Sequence, residues 1–271
     1  MVNTLRMREG SDRLVVELHR PDVRNAIDDE MVAELHEVCS GLERDPRVLI
    51  LTGASPGETS TAETSAGETS PGGTNTAEKG IFASGADIRS LLGRGRDQAL
   101  QGINSGLFTR IARLPMPVIA AVDGYALGGG AELAYAADIR IASTRAVFGN
   151  PESAIGIMAA AGATWRLLEL VGEPLAKEIL FTGRRLTAEE ALRVNLVASI
   201  HDPQDLLAAA DALADRIGEQ DPLAVRLTKR VLAAPRSAHP LVDDLAQAIL
   251  FESDAKTERM TRFLNRSKES T

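Results

Sequence analysis

The chain has 271 residues, 44% hydrophobic and 25% charged, with a formal net charge of −8 at pH 7. That length buries a large core in one big domain, or in one domain with an appendage, and the composition is that of an ordinary soluble globular protein. The acidic balance, without any Lys/Arg cluster interleaved with aromatics, argues against nucleic acid as a partner.

From the start, MVNTLRMREGSD has no apolar leader core, and no run approaches the ~18 apolar residues of a membrane span. A cytoplasmic protein without a membrane partner is the expectation. Leu14 to Leu18 reads as a strand stopped by Pro21. Asn25-Ala26-Ile27-Asp28 leads into an amphipathic helix with Met31, Val32, Leu35, Val38 and Leu42 at helical spacing and Asp28 as its N-cap. Cys39 is the only cysteine, so no internal disulfide can form, and a reducing compartment fits. Val48 to Leu51 is the next strand.

Residues 54–80 contain no large apolar side chain and repeat Glu-Thr-Ser at a five-residue step. Such a composition cannot bury enough surface to offset the entropy of ordering it, so a mobile insertion is expected; loop-closure cost rises slowly enough for a fold to carry it. A neutral low-complexity loop and a lid or partner-binding role both stay open. Phe82-Ala83-Ser84-Gly85-Ala86-Asp87-Ile88 follows as a glycine-centred turn into a helix beginning at Ile88 and capped by Asp87.

Val118 to Val122 is a short apolar run, as a buried strand should be. Gly128, Gly129 and Gly130 then open a helix over Ala131–Ala137, followed by a strand and a loop that ends in Glu152. Three glycines allow a ligand close to the backbone, and the unpaired N–H groups of a first helical turn favour negative charge. Glu132 sits in that turn, where complementing the helix dipole is the bland alternative to chemistry. The C-terminal part reads as helices over Pro174–Thr182, Thr187–Val194, Leu206–Ile217, Pro222–Ala234 and Leu241–Leu264, with a capping box at Thr187-Ala188-Glu189-Glu190.

The four histidines are isolated, so no metal site is expected. The glycines do not complete G-x-G-x-x-G, and neither a phosphate-loop motif nor G-x-S-x-G is present.

FASGADI, GYALGGGAE and FGNPE, in that order and with that spacing, resemble the crotonase (enoyl-CoA hydratase/isomerase) superfamily. The resemblance runs from Leu14 to about Val197 and continues more weakly into the C-terminal helices. It implies an α/β fold of repeated ββα units, with a core over residues 1–200 interrupted at 54–80 and a helical trimerisation region over 201–271. It also implies an oxyanion hole made by the backbone N–H groups of Ala86 and Gly129, and catalysis by Glu132 and Glu152, which stand twenty positions apart as in the hydratases. By resemblance Glu132 activates the attacking water and Glu152 delivers the proton to C2. Two fixed donors and two carboxylates are what water addition to a 2-enoyl thioester requires.

Coenzyme A enters as part of the acyl-CoA substrate, with no separate cofactor. The resemblance places it and the acyl group against Val23, Arg24, Ser84, Asp87, Ile88, Tyr125, Pro151, Ala160, Phe263 and Lys268. For Arg24, and for the tail around Arg266 and Lys268, simple solvation is the competing reading. Trimers, often paired as hexamers, are the implied assembly.

The stretch after Glu152 departs from the pattern. Ala159 replaces a usual proline, and Ala160 and Ala163 replace glycines; each added methyl narrows the space near the reacting carbons or demands φ < 0 where glycine was free, so a shifted acyl pocket and a non-standard substrate are the expectation. Trp165 is read as a core residue, with a place in the pocket wall as the alternative. Two further functions stay open: an isomerase or other thioester-enolate enzyme, and a non-catalytic acyl-CoA binder.

Overall fold

A computed structural model describes residues 3–54 and 80–269; the low-complexity insertion, save its end residues, lies outside the described residues. Among the described residues ten strands form two sheets. The larger contains β1 (Leu5–Glu9), β2 (Arg13–Leu18), β3 (Val48–Gly53), β5 (Val118–Val122), β7 (Ile139–Ser143) and β10 (Ile200–His201), in the order β1-β2-β3-β5-β7-β10. Every neighbouring pair is parallel except β1 with β2. The smaller sheet runs β4 (Ile81–Ala83), β6 (Tyr125–Leu127), β8 (Val147–Gly149), β9 (Arg185–Thr187), parallel until the antiparallel β9.

The apolar runs read as buried strands are buried on both faces, as parallel strands in a covered sheet are. Val16, Leu49, Leu51, Val118 and Ala120 face the main core, whereas Val15, Ile50, Ile119 and Ile141 face the opposite side. There they meet Leu206, Ala210 and Ala214 of helix α9 (Leu206–Gly218). Helix α1 (Asp29–Arg44) turns Met31, Leu35, Val38, Cys39 and Leu42 into the main core.

Asp28 Oδ1 accepts from Met31 N–H at 2.9 Å and caps α1, while its other oxygen pairs with Arg20 at 2.9 Å. Asp28→Ala is expected to cost about 1 kcal/mol, a loss of ~2–4 °C in Tm, and Asp28→Asn to recover most of it. A thermal melt of the two variants checks this.

The chain alternates between the sheets. β3, β5 and β7 each lie in the large sheet; the strand after each, β4, β6 or β8, lies in the small one. Each short strand then gives way to a helix or helical turn. After β4 come α2 (Ile88–Leu92), α3 (Arg96–Leu100) and α4 (Ile103–Ala112); after β6 comes α5 (Gly129–Tyr135); after β8 comes a 3-10 turn, Glu152–Ile155. These are the expected ββα units.

Several elements differ from the sequence reading. β6 and β8 occupy stretches read as turn and loop, and β1, β9 and β10 went unread; three of these five have only three residues and one has two, too few for alternation to show. The helix expected over Leu241–Leu264 is two, α11 (Leu241–Phe251) and α12 (Asp254–Glu269). The break is at Ser253, whose Oγ accepts from Lys256 N–H at 3.2 Å and so starts a new helix rather than continuing the old one. The chain continues from α9 through α10 (Pro222–Leu232), and α6 (Leu168–Val171), α7 (Glu173–Thr182) and α8 (Ala188–Arg193) complete the helices between the sheets' last strands.

Candidate active site

Because β4, β6 and β8 are parallel, their C-terminal ends lie along one edge of the small sheet. The residues just beyond those ends are Gly85-Ala86, Gly128-Gly129 and Asn150-Pro151-Glu152. Three motifs far apart in sequence are thus brought to one place, at the carboxyl ends of parallel strands where α/β folds place ligands. A cavity of about 740 Å3 opens there, lined by Ser84, Ala86, Ile88, Gly129, Glu132, Pro151, Glu152 and Ala160 of the expected residues.

Two glycines at the start of α5, its N-cap Gly128 and Gly130, are required by the backbone. Gly128 has φ +51, ψ −126, a conformation side chains oppose. At Gly130 a Cβ would stand 2.3 Å from Ala83 O, so α5 can press against the end of β4 only without a side chain there. That close packing buries Glu132, which is 3% exposed. Glu132 Oε1 accepts from Ala161 N–H at 2.8 Å and Ala163 N–H at 3.1 Å. Burial pushes its carboxyl up to about 7, with Glu152 adding to the rise and the backbone donors opposing it.

Glu152 is held differently. Its Oε1 is 3.5 Å from Asn150 Nδ2, its Oε2 is buried with no hydrogen-bond partner among the described residues, and burial raises its pKa. Asn150 is itself fixed by the buried hydroxyl of Tyr135, which donates to its Oδ1 at 3.1 Å, and it contacts Gly128 O at 3.4 Å. The sequence reading gave neither Tyr135 nor Asn150 a role; the one signal was the asparagine inside FGNPE. The two carboxylates therefore line one cavity with opposite surroundings. Glu132 accepts from two backbone N–H groups, and Glu152 Oε2 has no partner among the described residues.

The two backbone donors follow from a second interlock. Residues 24–27 lie beside 84–87: Ser84 N–H donates to Arg24 O, Ile27 N–H to Gly85 O and Asp87 N–H to Ile27 O, at 2.8–3.0 Å. Alternate residues of an extended segment point opposite ways, so Ala86 N–H faces away from this ladder. Among the described residues no hydrogen bond takes Ala86 N–H, nor that of Gly129, the first residue of α5. A Cβ on Gly129 would stand 3.2 Å from Ala86 N, which puts the two amides side by side. Asn25 welds the interlock to β4 through Nδ2, which donates to Ile81 O at 2.9 Å. Arg20 joins Asp28 to Asp87.

The remaining expected residues are placed around rather than in the cavity. Val23 and Arg24 are exposed on the neighbouring loop, where Arg24 adopts φ +56. Asp87 caps α2 by accepting from Arg89 N–H at 2.9 Å. Tyr125 is half-buried in β6, between Ile81 and Val147. Phe263 is exposed on α12, and the side chains of Arg266 and Lys268 lie outside the described residues.

The altered alanines need correction: Ala160 lines the cavity, but Ala159 and Ala163 are buried in the main core and narrow no pocket. Trp165 belongs neither to the core nor to the cavity wall. It is 46% exposed with the Arg166 guanidinium 3.9 Å above its ring. The cause is local: Ala163 and Leu167, one turn apart, take the inward face and leave Trp165 pointing out.

Among the described residues no group of three or more His, Cys, Asp or Glu could hold a metal ion, and no helix is long and apolar enough to cross a membrane.

A family model for enoyl-CoA hydratase/isomerase matches residues 75–270. The chain is 35% identical over 281 aligned residues to the short-chain-enoyl-CoA hydratase of Clostridium acetobutylicum, covering 98% of this chain and 96% of that protein. It is 33% identical to the crotonyl-CoA hydratase of Syntrophomonas wolfei, with 94% and 92% covered. A crystal structure of enoyl-CoA hydratase from Bacillus anthracis superposes with a TM-score of 0.83 at 28% identity, covering 97% of each chain.

Proposed function

The chain is an enzyme of the enoyl-CoA hydratase/isomerase family, with the crotonase fold, and we propose that it adds water reversibly across the 2,3 double bond of an enoyl-CoA thioester. The observation that carries this reading is the pair of unlike carboxylates sharing one cavity with two free, adjacent backbone donors. A lone carboxylate would serve proton exchange at C2; activating a water and protonating C2 takes two.

The thioester carbonyl accepts from Ala86 N–H and Gly129 N–H. Glu132, ionised and steadied by Ala161 and Ala163, takes a proton from water as its oxygen bonds to C3. The double-bond electrons move onto the carbonyl oxygen as an enolate, where the two amides meet the growing charge. Glu152 gives its proton to C2 as the enolate collapses, and a proton passing from Glu132 back to Glu152 resets the pair. The chemistry asks for no metal or redox cofactor; coenzyme A arrives with the acyl group. The exposed apolar side chains of Leu241, Leu245, Ile249, Phe251 and Met260 on α11 and α12 support the trimer or paired trimer as the assembly.

Hydration of crotonyl-CoA by the purified protein, followed from pH 5 to 10, tests the reading. The base is needed ionised, and burial has raised its pKa to about 7, so kcat/KM should fall tenfold per unit as pH drops below about 7. Because the two carboxylates line one cavity, the limb belongs to the pair jointly rather than to either residue. No turnover across straight and branched enoyl-CoA thioesters overturns the hydratase. C2 proton exchange without water addition would then identify an isomerase, and thioester binding with neither reaction a non-catalytic binder.

A further inference from the structure

Helix α5 carries Glu132 and, one turn later at its last residue, Tyr135. Tyr135 is 3% exposed; burial, with Glu132 and Glu152 adding to it, pushes the pKa of its hydroxyl up, so the group is present as a donor. It donates to Oδ1 of Asn150, which is 1% exposed and stands just beyond β8, two residues before Glu152. The orientation of that carboxamide is dictated by its neighbours. Gly128 O only accepts, so Nδ2 must turn towards it and Oδ1 towards the tyrosine. Nδ2 lies 3.4 Å from Gly128 O and 3.5 Å from Glu152 Oε1, both long contacts. The 3.1 Å bond from Tyr135 is the shortest of the three, and it holds Nδ2 facing Glu152.

We infer that Tyr135 is a positioning residue: its hydroxyl ties α5, which carries Glu132, to the segment after β8, which carries Glu152, and so fixes the two carboxylates relative to each other. Phenylalanine would fill the same space without the bond. Asn150 Oδ1 would then be a buried acceptor without its donor, and the carboxamide would keep only its two long contacts. Glu152, whose Oε2 has no partner among the described residues, would lose its hold with it. A carboxyl off its line to C2 costs rate steeply, since a misplacement of ~1 Å can lower a rate by 10²-fold. The inference rests on the hydratase reading for its reaction and on Glu152 acting at C2.

Tyr135→Phe, assayed below its melting transition, should lower kcat for crotonyl-CoA hydration about 10- to 100-fold with KM held within about twofold. A tyrosine that serves stability alone would lower Tm and leave kcat unchanged in the folded variant, and that result overturns the inference. In an Asn150→Ala background the same substitution should cost no more than about a further twofold, because the amide through which it acts is gone; losses that multiply overturn the route through Asn150. Should Tyr135→Phe not fold, Asn150→Asp takes its place. It is isosteric and still accepts from the tyrosine, but it turns an acceptor towards Glu152, so kcat should drop likewise, and wild-type turnover overturns the inference. Should no thioester be hydrated, the hydratase reading fails separately. Deuterium exchange at C2 of butyryl-CoA, which needs Glu152 but no attacking water, then decides the role of Tyr135 by the same criteria. With neither reaction in the wild type, Glu152 has no proton transfer to be positioned for, and the inference falls too.

Discussion

Glu132→Gln and Glu152→Gln are each expected to lower kcat for crotonyl-CoA hydration about 10³-fold, with KM changed far less. In the proposed mechanism each removes a group that works only while bonds to C2 or C3 are changing, so the loss belongs in kcat. The double variant should fall well short of the product of the two losses, because the carboxylates act as a unit. Stability should move the other way. A carboxyl whose folded-state pKa lies above its unfolded value costs the native state progressively as pH rises from the unfolded value through the folded one. With Glu132 raised to about 7, Glu132→Gln should not destabilise the protein, and above pH 7 it should raise the denaturation midpoint. The glutamine Oε1 can still accept from Ala161 and Ala163, which keeps the neighbouring loop in place. Denaturant titration at pH 5 and pH 8 beside the kinetics separates the two effects. An inactive variant that is also unfolded would say nothing for catalysis, whereas near-wild-type turnover by either variant would remove that glutamate from the mechanism.

Much of this was legible in the sequence, for a reason particular to the fold. Backbone donors demand small residues, so the proposed donors Ala86 and Gly129 stand in glycine-rich motifs, and Glu132 and Glu152 each follow a short strand of the same sheet. What was not legible is where those strands are. β6 and β8 are too brief to show a period, yet they bring the three motifs to one edge. Side-chain direction was the other gap. Ala159, Ala160 and Ala163 look equivalent as letters, but one lines the cavity and two lie in the core. Trp165 likewise follows a helical turn whose inward positions Ala163 and Leu167 already occupy.

Gly129→Ala and Gly130→Ala, adjacent and identical on paper, should fail in different ways. A Cβ on Gly129 stands 3.2 Å from Ala86 N and 3.8 Å from Asn104 Nδ2, a tight contact that a few tenths of an ångström relieve. The protein should fold, but the new methyl lies against one of the two donors, where the carbonyl oxygen must approach. Losing one oxyanion donor costs on the order of 10²- to 10³-fold, so kcat should drop by about that much with a near-native melting curve. A Cβ on Gly130 instead stands 2.3 Å from Ala83 O and 2.7 Å from Ala83 Cβ, against the backbone of β4 rather than the tip of a flexible side chain. No small shift accommodates it, so α5 must lift off the small sheet and take Glu132 with it. Gly130→Ala should be lost to misfolding before activity can be read. The contrast separates the chemical role of the amides from the packing role of the glycines. Wild-type turnover by a folded Gly129→Ala would place the oxyanion hole elsewhere, and a stable, native-like Gly130→Ala would show that α5 does not need its close seat on β4 to hold Glu132.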